Sequence, residues 1–200
     1  MKRRNFIQKS SVLSAGTLIA NSSVLSAAGK RISPNDKLQI AVVGCNGMGW
    51  ANTNSMLKLA DVDLVAICDV DQNVINKRLV DYEKLRPNKP AVYRDYRELM
   101  NNSEIDVVIV GTPDHWHALP MIEAIQSGKH VYVEKPISNT IEECRLMVEA
   151  ARKAGKIVQV GQWQRSGPHY RQAIDIVRSG KLGNIRLVKV WAYQGWMEPV

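Results

Sequence analysis

From Lys37 onward, short runs of apolar and β-branched residues alternate with longer stretches of helical pattern, and this alternation restricts the chain more than any other feature. Strands and helices taking turns build a parallel sheet with helices on its faces. Leu38–Val43 reads as the first strand, the stretch from Asn46 or Gly47 to about Leu59 as the first helix, Val62–Cys68 as the second strand, and Gln72–Leu85 as a second helix stopped by Pro87. Ala91–Tyr93 is a short third strand, Tyr96–Asn101 a short helix, and Ile105–Val110 a near-continuous apolar run of the kind buried on both faces. A helix to Ser127 with Gly128 as left-handed cap leads into a strand at His130–Val133, and a helix over Thr140–Ala154 capped by Gly155 leads into a strand at Ile157–Val160. Six strands with their crossovers make residues 37–161 a doubly wound α/β domain of the Rossmann type.

Residues 162–200 read as the beginning of a second, α+β domain, with a helix over Gly167–Ser179 and a half-exposed strand at Ile185–Val190. A strand with one apolar face and no partners is not a stable ending, so the expectation is the front part of a longer protein.

The formal net charge of +8 is weighted to the start of the chain. Lys2, Arg3, Arg4 and Lys9 lie in the first ten residues, leaving 23 basic against 19 acidic residues elsewhere. That surplus forms no arginine-rich stripe with interleaved aromatics, which argues against a nucleic-acid partner. Arg3-Arg4 followed by Phe6-Ile7, an apolar Ser/Ala-rich stretch from Val12 to Ala28 and the small residues Ser26-Ala27-Ala28 have the layout of a twin-arginine export signal, which predicts a periplasmic location. Gly16, Asn21 and the serines interrupt the apolar run, so any membrane contact is expected only through that signal. Residues 29–36 read as a polar linker. The three cysteines, Cys45, Cys68 and Cys144, match no metal spacing and read as small apolar residues.

The loop Gly44-Cys45-Asn46-Gly47-Met48-Gly49 directly follows an apolar strand and opens a helix. Glycines are needed there for a tight turn, for approach of a pyrophosphate and for packing of helix on strand, while free N–H groups at the helix start face the phosphates. Asp69 ends the second strand 20 residues after Gly49, where a carboxylate accepts from a ribose 2′-hydroxyl and repels a 2′-phosphate. The cofactor implied is NAD rather than NADP. Gly111–His117 and Glu134–Pro136 follow later strands at their carboxyl ends, the edge along which open α/β sheets bind ligands. His115 and His117 could pair on a metal, but no third ligand of sensible spacing follows, so no metal is expected.

Five stretches, Ala41–Gly49, Val65–Asp69, Thr112–His117, Gly128–Pro136 and Gly180–Ile185, together resemble the glucose-fructose oxidoreductase and inositol dehydrogenase family, Gfo/Idh/MocA. The resemblance implies that Lys135 lies between nicotinamide and a carbohydrate substrate and polarises the reacting oxygen, and that Glu134 and Pro136 fix its loop. It implies further that Thr112, Pro113 and His117 line the nicotinamide-ribose wall, and that Gln162 and Arg165, where the family's chain passes to its substrate domain, contact sugar or cofactor. It also implies a homo-oligomer for the longer form. His169 reads as a solvent-facing helical residue. The family's general base, in an Asp-x-x-x-His pair on a helix, is expected beyond Val200, so the 200 residues could bind NAD without turnover.

The leading expectation is therefore an exported oxidoreductase moving a hydride between retained NAD and a sugar. Two alternatives stand beside it. One is a glycoside hydrolase that uses NAD transiently, whose exported representatives can differ at the Glu-Lys-Pro stretch that is intact here; the other is a dinucleotide-binding module without activity.

Overall fold

A computed structural model describes residues 37–191. The expected export signal (1–28), the linker (29–36) and the final residues 192–200 lie outside the described residues.

Six strands, β1 (Leu38–Val43), β2 (Val62–Cys68), β3 (Ala91–Tyr93), β4 (Val107–Val110), β5 (His130–Val133) and β6 (Val158–Val160), form one sheet in the order β3-β2-β1-β4-β5-β6. Every pairing is parallel. The order reverses between β1 and β4, and at this switch point the loops after the two strands part to opposite faces and leave a crevice.

The helices are α1 (Gly47–Met56), α2 (Gln72–Glu83), α3 (Tyr96–Met100), α4 (Ala118–Gln126), α5 (Ile141–Ala154) and α6 (Pro168–Arg178). Side chains alternate across a strand, so successive residues of β1 and β4 feed two separate cores. Ala41, Val43, Val108 and Val110 join Leu99, Met121, Ile125 and Met147 on one face. Ile40, Val42 and Ile109 join Trp50, Ile75 and Tyr82 on the other. Each aliphatic or aromatic side chain so buried contributes about 1.5–3 kcal/mol. Both faces covered is what an all-parallel sheet requires.

Local signals set the element ends. The side chains of Asp71, Asp95 and Thr140 accept backbone N–H groups at the starts of α2, α3 and α5, and Gly155 ends α5 in the left-handed conformation at φ 62°. The first helix stops at Met56 rather than Leu59.

The expected strand at Ile185–Val190 is not formed: residues 185–191 pair with nothing among the described residues, and Leu187, Val188 and Val190 are exposed. An alternating pattern becomes a strand only when an edge receives its backbone groups, and the six-stranded sheet does not extend to it. α6 forms close to its expected bounds but buries none of its residues.

Candidate active site

The glycine loop leaves β1 and turns into α1 with almost no room to spare. A Cβ at Gly49 would lie 1.9 Å from the Gly44 carbonyl oxygen, and one at Gly111, just after β4, would lie 2.4 Å from the Gly49 Cα. Three glycines, two just after neighbouring strands and one in α1, thus pack backbone on backbone at the switch point. Gly47 differs from them: its φ is +42°, and a Cβ built on it would meet nothing within 4 Å. That open space lies beside the N-terminus of α1, where the positive end of the helix dipole and its first N–H groups attract anions. The residues fit a dinucleotide pyrophosphate.

Asp69 holds this loop from the end of β2. Its Oδ2 accepts the Cys45 N–H at 2.7 Å and its Oδ1 accepts the Asp71 N–H at 3.0 Å. A carboxylate has about four acceptor sites, so two remain for ribose hydroxyls. Asp71, two residues on, takes the N-cap of α2 instead of Asp69.

Gly44, Asn46, Asp69, Thr112 and Pro113 line one cavity of about 620 Å³, together with Val74, Arg94 and Tyr96. A cavity with an apolar wall, a carboxylate and a phosphate-seeking loop suits the nucleoside end of such a cofactor. Met48 belongs to neither cavity lining; its side chain is exposed, and what it offers is its backbone at the second position of α1.

Lys135 lines a second cavity of about 570 Å³ together with Pro136, Gln159, Gln162, Arg165 and Ser166. Gln162 Oε1 accepts from Arg165 Nη1 at 3.3 Å, which places two of the expected contacts in one cluster with Lys135. The Lys135–Pro136 bond is cis. Glu134, buried beneath this loop, accepts the Lys135 N–H through Oε2 at 3.1 Å and the Asn52 side-chain amide through Oε1 at 2.7 Å, tying the loop to α1.

His117 is placed differently from its two neighbours in the motif. Thr112 and Pro113 stand in the wall of the first cavity, whereas the His117 ring is 1% exposed and lines neither. Its Nδ1 lies 2.7 Å from the Pro136 carbonyl oxygen and its Nε2 2.8 Å from that of Thr112, so the ring joins the loops after β4 and β5 from beneath. A neutral imidazole carries one N–H and carbonyl oxygens only accept, so one of these two contacts is the hydrogen bond that satisfies the buried donor. His115 faces Asp114 at 3.5 Å and does not share a site with His117.

Two contributors escaped the sequence reading: Asn52 and Arg78. Arg78, on α2, donates from Nε to the Cys45 carbonyl at 2.9 Å and from Nη2 to Asn46 Oδ1 at 3.1 Å. The two thiols near the loop are buried. Burial, followed by the charge of Asp69, raises Cys45 and Cys68 to about 12 each.

The profile of an oxidoreductase family with an NAD-binding Rossmann fold, Gfo/Idh/MocA, matches residues 38–162. The alpha-N-acetylgalactosaminidase of Shewanella oneidensis is 31% identical, aligned over 92% of this chain and 44% of its own. The myo-inositol 2-dehydrogenase of Lactobacillus plantarum is 26% identical with a TM-score of 0.68, covering 74% of this chain and 43% of that one. The scyllo-inositol dehydrogenase of Lactobacillus casei, solved with bound NAD(H) and scyllo-inositol, is 25% identical with a TM-score of 0.64 over the same shares. The chain thus spans less than half the length of these relatives. A parallel sheet in Rossmann order, a glycine loop at its switch point and a family profile matched over most of the described residues lead to one conclusion: the chain belongs to the Gfo/Idh/MocA family of NAD-binding oxidoreductases.

Proposed function

We propose that the chain holds NAD at the switch point and that Lys135 serves hydride transfer at a hydroxyl-bearing carbon of a sugar or cyclitol. The observation that carries this reading is the position of Lys135: an exposed ammonium at the carboxyl end of β5, on a loop held from below by Glu134 and Asn52, opening on a cavity shared with Gln162 and Arg165. When bound, NAD supplies the hydride acceptor or donor. An ammonium beside the reacting oxygen stabilises the negative charge that develops there, an effect that grows as water is excluded. Gln162 and Arg165 offer donors for neighbouring hydroxyls. Asp69 selects NAD, since a 2′-phosphate would meet its charge.

The export layout of residues 1–28 goes with a cofactor retained through the cycle, because a protein exported in folded form carries its own dinucleotide.

Titration of the purified chain with NADH and NADPH tests the binding step: tighter NADH binding is expected, and no binding of either overturns the reading. Lys135→Met then tests the chemistry. It should leave NADH affinity within about twofold and remove most sugar-dependent reduction of NAD, an electrostatic loss on the order of 10² in rate.

A second reading has its own support, the 31% identity to a protein named for alpha-N-acetylgalactosamine release. On this reading the same Lys135 serves an oxidation that is later reversed. An aryl N-acetylgalactosaminide distinguishes the two: aglycone release without net NADH favours the hydrolase.

A further inference from the structure

Asparagine is among the strongest helix N-caps, because its side-chain oxygen accepts an N–H from the second or third helical residue. Asn46 stands at the N-cap of α1 with the extended backbone that a cap requires, φ −92° and ψ 172°, yet its side chain makes no capping bond. The N-caps of α2, α3 and α5 all do.

Arg78 accounts for the difference. An arginine carries donors only, so it must take the Asn46 oxygen, the same atom that would cap α1. Its Nε is fixed on the Cys45 carbonyl, its Nη1 on Asp81 at 2.9 Å, and its plane lies over the Trp50 ring at 5.3 Å. A guanidinium held on four sides and buried has little freedom to release Asn46. Asn46 itself is part of the lining of the first cavity.

We infer that Arg78 is a positioning residue that keeps Asn46 from capping its own helix, so that the first N–H groups of α1 stay available to the cofactor's phosphates. This rests on the NAD reading above. A self-capped α1 would have to be uncapped before the pyrophosphate could bind, and the ligand would bear that cost. Arg78 bears it in advance from α2, which is preorganisation of an anion site.

The test compares NADH affinity of the wild-type chain, Arg78→Met, and the double variant Arg78→Met/Asn46→Ala. Arg78→Met should weaken binding about fivefold to tenfold, the size of one helix cap. Removing the Asn46 side chain in that background should recover part of the loss, because the competing oxygen is gone. A merely structural role predicts no recovery. Unchanged affinity in Arg78→Met, or a double variant no tighter than the single one, overturns the inference.

Should Arg78→Met fail to fold, Arg78→Lys, which reaches one of the two acceptors but not both, takes its place with the same order expected. Amide exchange of Met48 and Gly49 without ligand separates the inference from the cofactor reading. It should be fast in the wild type and slower in Arg78→Met even if NADH proves not to bind, and equal rates overturn the clamp.

Discussion

Asp69 Oδ2 accepts the Cys45 N–H at 2.7 Å, so the carboxylate we propose for the ribose is also a brace for the glycine loop. On the proposed function, cofactor choice and loop geometry then depend on one side chain. Asp69→Ala should lose NADH affinity roughly 10- to 100-fold, in keeping with about 1.5–3 kcal/mol for a hydrogen bond to a charged group, without gaining NADPH. Asp69→Asn can still turn its oxygen to Cys45 and should retain more NADH affinity while rejecting NADPH less. Fluorescence titration of both cofactors checks this; an alanine variant that binds NADPH as the wild type binds NADH would refute the coupling.

The glycines of the loop should respond to alanine in opposite ways. At Gly49 the new Cβ would meet the Gly44 carbonyl at 1.9 Å, so the crossing of α1 over β4 must open, with a loss of at least ~3 kcal/mol and a matching fall in Tm. At Gly47 nothing crowds the methyl group, and the cost is the positive φ alone, about 1–2 kcal/mol. Gly47→Ala should fold and bind NADH poorly. Thermal melts with and without NADH separate the two effects, and equal destabilisation would show the contacts at Gly49 to be relieved by small shifts.

Which parts of this architecture can be read from residues follows from how far each cause reaches along the chain. β1, the turn and α1 are contiguous, so period, glycine spacing and Asp69 placed the loop correctly. The Gly155 cap is likewise local. Arg78 acts on Cys45 and Asn46 across 33 and 32 residues, and Asn52 meets Glu134 across 82; helix spacing carries no trace of such pairs. The contact of His117 with the Pro136 carbonyl, 19 residues on, is hidden in the same way. Ile185–Val190 misled because alternation records a preference that only a neighbouring edge can realise.

Asn52 should matter to the lysine loop more than to cofactor binding. Asn52→Leu leaves Glu134 Oε1 buried without its 2.7 Å donor, at a cost of about 1–3 kcal/mol. Roughly 2–4 °C of Tm follows from each kcal/mol in a chain of this size. NADH affinity should change little, since the first cavity is untouched. Any turnover dependent on Lys135 should fall, because the same carboxylate accepts the Lys135 N–H. An unchanged melting curve would count against Glu134 as the anchor.

The two buried thiols give the chain an alkaline weakness. Cys45 and Cys68 stand at about 12 in the fold against 9.0 for an ordinary thiol, chiefly because burial disfavours the thiolate. Between these values the unfolded chain gives up protons that the folded chain keeps, so the folded state binds more protons and its stability falls as pH rises. Their contribution is whole below pH 9 and declines from there toward 12, on the order of 1 kcal/mol per pH unit for each thiol. Denaturation midpoints from pH 7 to 11 should drop above pH 9, and Cys68→Ala should flatten that slope although it lowers stability at pH 7. A thiol reagent at pH 8 should meanwhile modify Cys144, which is partly exposed, and leave Cys45 and Cys68 unmodified until the protein unfolds. Rapid labelling of all three in the native state would mean that the sheet edge beneath the glycine loop opens, contrary to the closed packing of β1 and β2.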